Sequence, residues 1–193
     1  MEMKTALYLL IPILAISRTN ANEIEDRLPE GTAWKIGHFE ADGRVFEYRE
    51  RQIDVVLEYD QLTAREATDC TTLLEIAGAF LHIWEISHDV QRLSRLCLSD
   101  DRIQDRLEIT AEIMAGNVLQ EGRRYSRLVE YEGFYFLIGR QTPENNAAIK
   151  HAVGVYRWDY GRWWAVFSPP DFEKVGGPLF RREILKHPPT RDP

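Results

Sequence analysis

Taken by its hydrophobic and polar positions, the chain reads as an apolar leader, one β-hairpin, a helical middle and a β-rich C-terminal half. The leader run, Ala6 to Ile16, shows no alternation. Trp34 to Glu40 then reads as a strand. Asp42-Gly43 supplies a tight turn, because both residues tolerate left-handed backbone. The return strand starts at Val45, and Ile53, Val55, Leu57 and Tyr59 alternate with polar residues, the mark of one buried and one wet face. Its densely charged middle, Glu47 to Gln52, is expected to bulge or to lie at a sheet edge.

Helical spacing takes over next. Thr63 and Glu66 fit a capping box, and Cys70, Leu73, Ala77, Phe80 and Trp84 recur on one stripe that Leu74, Ile76, Leu81 and Ile83 widen. Ser87 or Asp89 is placed to cap a shorter helix carrying Val90, Leu93 and Cys97, and Ser99 to Asp101 to cap a third. That third segment carries two patterns at once. Ile103, Leu107, Ala111 and Met114 suit a helix ending near Gly116-Asn117, whereas Leu107, Ile109, Ala111 and Ile113 alternate as in a strand; length and flanking signals favour the helix.

From Arg123 the pattern is β. Tyr125 to Tyr131, a Glu132-Gly133 turn and Phe134 to Arg140 form one hairpin. Val153 to Trp158, the turn Asp159-Tyr160-Gly161 and Arg162 to Ser168 form another, with a Pro-containing loop from Gln141 to Asn146 between them. Leu179 to Leu185 reads as a last helical turn. The expected fold class is therefore α+β: a helical layer packed on a mainly antiparallel sheet built largely from C-terminal hairpins, in a single domain over residues 22–186 with a tail at 187–193.

Lys4, the apolar run of about eleven residues, the polar stretch Ser17-Arg18-Thr19-Asn20 and Ala21 have the three-part layout of a secretory signal peptide over residues 1–21. The run is well short of the roughly twenty residues a bilayer-spanning helix needs. A secreted or periplasmic location follows, with no membrane anchor after cleavage. The mature part, about 172 residues, is the size of one ordinary domain.

The formal charge of -7 sets the chain against nucleic acid and anionic lipid as partners. Arg123-Arg124 and Arg181-Arg182 are too short to reverse it, and are expected on a solvated surface or paired with nearby Glu. In an oxidising compartment Cys70 and Cys97 are candidates for one disulfide. On straight helices meeting near Ser87, however, Cys70 lies about 24 Å before the turn and Cys97 about 15 Å after it, so a bond needs a kink at Gly78 or a different helix crossing, and one disulfide or two buried thiols both remain open.

The second C-terminal hairpin is the candidate binding surface. Tyr156, Arg157, Trp158, Tyr160, Arg162, Trp163 and Trp164 crowd into nine positions, and such aromatic and Arg side chains stack on sugars or anchor protein interfaces. Strand alternation puts Trp163 and Trp164 on opposite faces, so at least one Trp turns away from the main core unless that side is covered too. The plain alternative is that these residues are good strand formers and cross-strand partners.

Glu130, Glu132 and His151 form an alternative pocket set, with Glu and His as possible acid–base groups. His82, Glu85 and His88 step by three residues and diverge around a helix, so they are not read as metal ligands. No phosphate loop, nucleophile elbow or zinc motif is present, and no cofactor is expected. The functional expectation is an exported soluble non-catalytic binding protein recognising a protein or cell-envelope glycan partner, inhibitor- or immunity-like. The alternative is a small-molecule pocket protein or cell-envelope hydrolase.

Overall fold

The computed structural model describes residues 21–41, 43–63, 65–98, 122–142 and 151–166. The leader, the segment read as a third helix, residues 143–150 and everything beyond Val166 lie outside the described residues. Helix α1 spans Ala21–Glu25, and the hairpin β1 (Lys35–Ala41) and β2 (Arg44–Glu58) follows it. Two 3-10 turns, Tyr59–Gln61 and Ala67–Asp69, lead into α2 (Leu73–Leu81), which continues as a π-helix over His82–Ser87. Helix α3 is Val90–Leu96; strands β3 (Gly122–Tyr131), β4 (Phe134–Thr142), β5 (His151–Asp159) and β6 (Arg162–Ala165) complete the described chain. The strands form one six-stranded sheet in sequence order, each antiparallel to the next, so the class is α+β.

Both C-terminal hairpins are present in part as expected: β3 and β5 start at Gly122 and His151, before Tyr125 and Val153, β6 is Arg162–Ala165, and 167–168 lie outside the described residues; their turns have a local cause. Glu132-Gly133 and Tyr160-Gly161 each carry two consecutive positive φ values, the geometry of a type I′ turn whose twist matches the flanking strands. The charged stretch of β2 lies inside the sheet, contrary to the edge reading. Arg44–Glu50 pairs with β1, Arg49–Glu58 pairs with β3, and the register slips between Gln52 and Val55. The charges are tolerated there because each long side chain has a partner: Arg49 with Glu130 at 2.9 Å, Arg51 with Glu25 at 2.6 Å and Glu50 with Arg127 at 2.6 Å. The sheet ends instead at β1 and β6.

Helix α2 starts later than the sequence suggests. Thr63 and Glu66 do not form the capping box; Thr72 and Glu75 do, nine residues on, with the same T-x-x-E spacing. The Thr72 hydroxyl accepts from the Glu75 N–H at 3.2 Å, and the Glu75 carboxylate accepts from the Thr72 and Thr71 N–H groups at 3.0 and 2.8 Å. The choice is made by the N-terminal segment: the Leu73 N–H donates to the Arg27 carbonyl at 2.9 Å and Arg27 Nη1 to the Thr71 carbonyl at 3.1 Å. Glu66 is used elsewhere, by Arg92 of α3 at 3.0 Å. Asp89 caps α3, its side chain accepting from the Arg92 N–H at 3.0 Å.

Burial works against the charge of Glu75, yet the donors from Thr71 and Thr72 and the Arg65 guanidinium outweigh it and hold the carboxyl down to about 2. A depressed carboxyl stabilises the fold above its ordinary value near 4.5 and loses that contribution as pH falls toward 2. Thr72→Ala should therefore cost about 1 kcal/mol in urea unfolding at neutral pH. Glu75→Gln should flatten the decline in stability between about pH 4.5 and 2.

Helices α2 and α3 pack against part of one face of the sheet. Leu73, Ile76, Ala77, Leu93 and Leu96 pack with Leu128, Leu137, Tyr156 and Trp163 in one cluster, and the opposite face carries a second, including Tyr48, Val129, Phe136 and Ile138. Strand β4 is thus buried on both sides.

Cys70 precedes α2 and Cys97 is the C-cap of α3; both are buried free thiols rather than a disulfide. Burial pushes their pKa values up to about 11 and about 12. A thiol-reactive disulfide reagent at pH 8 should label neither in the native protein and both after denaturation, because thiolate and access are both missing.

Candidate functional site

Strand β5 lies between β4 and β6, and the two C-terminal strands meet at the Tyr160-Gly161 turn. Register divides the candidate hairpin. Trp158 opposes Trp163 and Tyr156 opposes Ala165 on the helix-covered face, whereas Arg157 opposes Trp164 on the other. Trp163 is 0 % exposed, edge-on to Tyr135 at 5.4 Å and to Trp158 at 5.5 Å. Trp158 is half-buried beneath the Arg27 guanidinium at 4.5 Å. Tyr156 is also buried, and burial raises its pKa well above the ordinary value. Two of the seven residues, Tyr156 and Trp163, are therefore core, and Trp158 packs against them half-buried. Of the other four, Tyr160 is exposed, and Arg157, Arg162 and Trp164 are half-buried on the side away from α2 and α3.

These four form a connected patch. The Arg162 guanidinium lies 3.5 Å from the Trp164 ring centroid, and Trp164 Nε1 donates to the Asp159 carbonyl at 2.9 Å. Arg157 lies 5.2 Å over the Phe134 ring and 3.7 Å from Asp159, whose other carboxylate oxygen accepts from the Tyr160 N–H at 3.0 Å. Tyr160 stands at the tip, 87 % exposed with φ +52°. A left-handed backbone costs an ordinary L-residue about 1–2 kcal/mol, and Asn, Asp or Gly would fill the position more cheaply.

The alternative set does not assemble. Glu130 Oε2 accepts from Arg49 Nε at 2.9 Å and its Oε1 from the Gly133 N–H at 2.9 Å, so this carboxylate brackets the β3–β4 turn. Burial opposes the charge of Arg49, and the Glu130 contact outweighs it and raises the guanidinium pKa. Glu132 is exposed in the turn itself. His151 pairs with Arg140, whereas Glu130 pairs with Tyr135. Those positions lie about 17 Å apart along β4 at roughly 3.3 Å per residue. The neighbouring cavities contain none of these groups among the described residues. One of about 130 Å³ is lined by Phe80, Val153, Val155, Tyr156, Ala165 and Val166, and a cleft of about 190 Å³ by Leu57, Leu62, Arg65, Leu74, Glu75 and Gly78.

A buried charged cluster lies under the helices, and neither of its charges was read that way from sequence. Arg123 is buried rather than on a solvated surface, and of the two expected roles it takes the pairing with a Glu, Glu85 of the π-helix; its Nε donates to the Tyr59 hydroxyl at 3.2 Å. Burial works against its charge, but Tyr125, Tyr59 and Glu85 hold its pKa above the ordinary value. Burial likewise raises the Tyr59 and Tyr125 phenols, with Arg123 opposing. Arg124, the next residue, is exposed and bidentate to Asp54 at 3.0 Å. The one sequence signal was Glu85 itself, an acidic residue within an apolar helical stripe. Its flanking histidines do not converge on it: His82 opens the π-helix and His88, at φ +51°, caps its C-terminus. Among the described residues no group of three His, Cys, Asp or Glu side chains is placed to hold a metal ion, and no helix is long and apolar enough to cross a membrane.

Comparison with protein-family models, with characterised proteins and with solved structures found no match, so the reading of the site rests on its own geometry.

Proposed function

We propose that the chain is an exported, non-catalytic binding protein that recognises a protein or cell-envelope partner through the tip and outer face of the β5–β6 hairpin. Export rests on the signal-peptide layout of the first 21 residues. In this reading the helices act as a layer that stiffens the sheet behind the hairpin. The observation that carries it is Tyr160, a large aromatic almost wholly in water and held at a backbone angle that favours smaller residues. Local strain kept at an exposed position is a cost to folding, and contact with a partner is the function it fits. Tyr, Trp and Arg, the types gathered here, are also the usual anchors of protein interfaces. The pocket or hydrolase alternative has no comparable support, since Glu130, Glu132 and His151 stand apart.

Tyr160→Asn separates strain from binding. It should leave thermal stability unchanged or raise it by about 0.5–1 kcal/mol, because Asn accepts the left-handed backbone. It should also abolish retention of the partner from a cell-envelope extract, or sedimentation with isolated cell-wall glycan. Glu132→Asn, at the equivalent φ of +49° in the neighbouring turn, should give the same stability change with retention intact. Equal retention by wild type and Tyr160→Asn would retire the reading.

A further inference from the structure

We infer that the partner presents a carboxylate-rich polypeptide segment, and that the stacked guanidiniums of Arg157 and Arg162 are its receptor. This rests on the hairpin reading above and adds the chemistry of the ligand. Phe134, Arg157 and Trp164 form one row across β4, β5 and β6, since Arg157 is registered with Phe134 on one side and with Trp164 on the other. Asp159 and Arg162 make the next row toward the tip. Each Arg lies over a ring, Arg157 over Phe134 and Arg162 over Trp164. Stacking fixes the plane of a guanidinium at a smaller entropic cost than a free side chain would carry; the edge N–H groups of Arg162 are then open to grip a carboxylate bidentately, with Arg157, already shared with Asp159, adding positive charge beside it.

Among the described residues the charges of the patch do not cancel. Asp159 is engaged by Arg157 and by the turn amide, and Arg162 has no carboxylate partner among the described residues. On a chain of net charge -7, a preorganised cation with no carboxylate partner among the described residues, beside an exposed tyrosine, matches an anion. Two guanidiniums suit one short acidic segment. They do not suit a nucleic-acid backbone, which takes many phosphate contacts to hold against the repulsion of an acidic protein.

The test is fluorescence anisotropy of labelled poly-L-glutamate with the purified chain, alongside poly-L-lysine and an oligothymidine of similar length. Poly-L-glutamate should bind despite the like net charge. Arg162→Gln should weaken it about tenfold, Arg162→Lys should recover only part, and raising salt from about 50 to 500 mM should weaken it further. Arg124→Gln makes the same charge change at a distant exposed site and should have no effect. Absence of poly-L-glutamate binding, equal loss in Arg124→Gln, or tighter binding of the oligothymidine would overturn the inference. If partner retention still requires Tyr160 while remaining insensitive to Arg162→Gln, the acidic-ligand inference fails and the hairpin reading stands.

Discussion

Arg123→Met is expected to lower the unfolding free energy by about 3–5 kcal/mol, enough to leave a marginally stable domain partly unfolded at room temperature. The guanidinium is buried between β3 and the π-helix and satisfies Glu85 and Tyr59 together. Removing it leaves the Glu85 carboxylate in an apolar surrounding with its nearest opposite charge gone, and that uncompensated charge carries most of the cost. Glu85→Leu alone should be damaging for the mirror reason. The double variant Arg123→Met/Glu85→Leu should cost far less than the sum, because an ion pair exchanged for packed apolar groups of similar volume is often neutral. Urea unfolding of the four proteins checks this. Additive losses would show that the two residues act separately and that the buried pair is not a unit.

Trp163→Ala should cost a similar amount, about 3–5 kcal/mol, whereas Trp164→Ala, one residue on, should cost less than about 1.5 kcal/mol. Trp163 is fully buried, and its truncation opens a cavity and removes two edge-to-face contacts, with Tyr135 and Trp158. Trp164 is half-buried on the other face; its loss removes the seat of Arg162 and one hydrogen bond to Asp159. Trp163→Phe should be much milder than Trp163→Ala, since the buried Nε1 has no hydrogen-bond acceptor among the described residues and a phenyl ring keeps most of the packing. Chemical denaturation followed by near-ultraviolet circular dichroism measures each step. Comparable losses at Trp163 and Trp164 would contradict the division of the hairpin into a core face and an outer face.

That division shows where local pattern stops. The two-residue period assigns Trp163 and Trp164 to opposite faces. Which face is covered depends on α2 and α3, and no periodicity within the hairpin records where they lie. The hairpin was therefore legible as a segment, and of its seven candidate residues only Arg157, Tyr160, Arg162 and Trp164 lie away from the helix-packed face. Glu130 was a candidate acid–base group beside a turn; its pairing with Arg49 joins residues 81 apart and was beyond any local reading.

By itself the sequence determined the elements whose cause is short-range. The Glu132-Gly133 and Tyr160-Gly161 turns and the strands that alternate on either side of them follow from residues within a few positions of one another, and the α3 cap was narrowed to Ser87 or Asp89, of which Asp89 serves. Tertiary structure decided between local patterns of equal merit. Thr63-x-x-Glu66 and Thr72-x-x-Glu75 are the same capping signal, and the backbone of Arg27, docked against Thr71 and Leu73, selects the second. It also took Arg123 out of the solvent and its neighbour Arg124 into it, because successive strand residues face opposite ways and only one of those faces meets Glu85. Turns and caps are set by hydrogen bonds and dihedral preferences within a few residues. Burial is set by what the rest of the chain places opposite, and that is a property of the assembled sheet and helices.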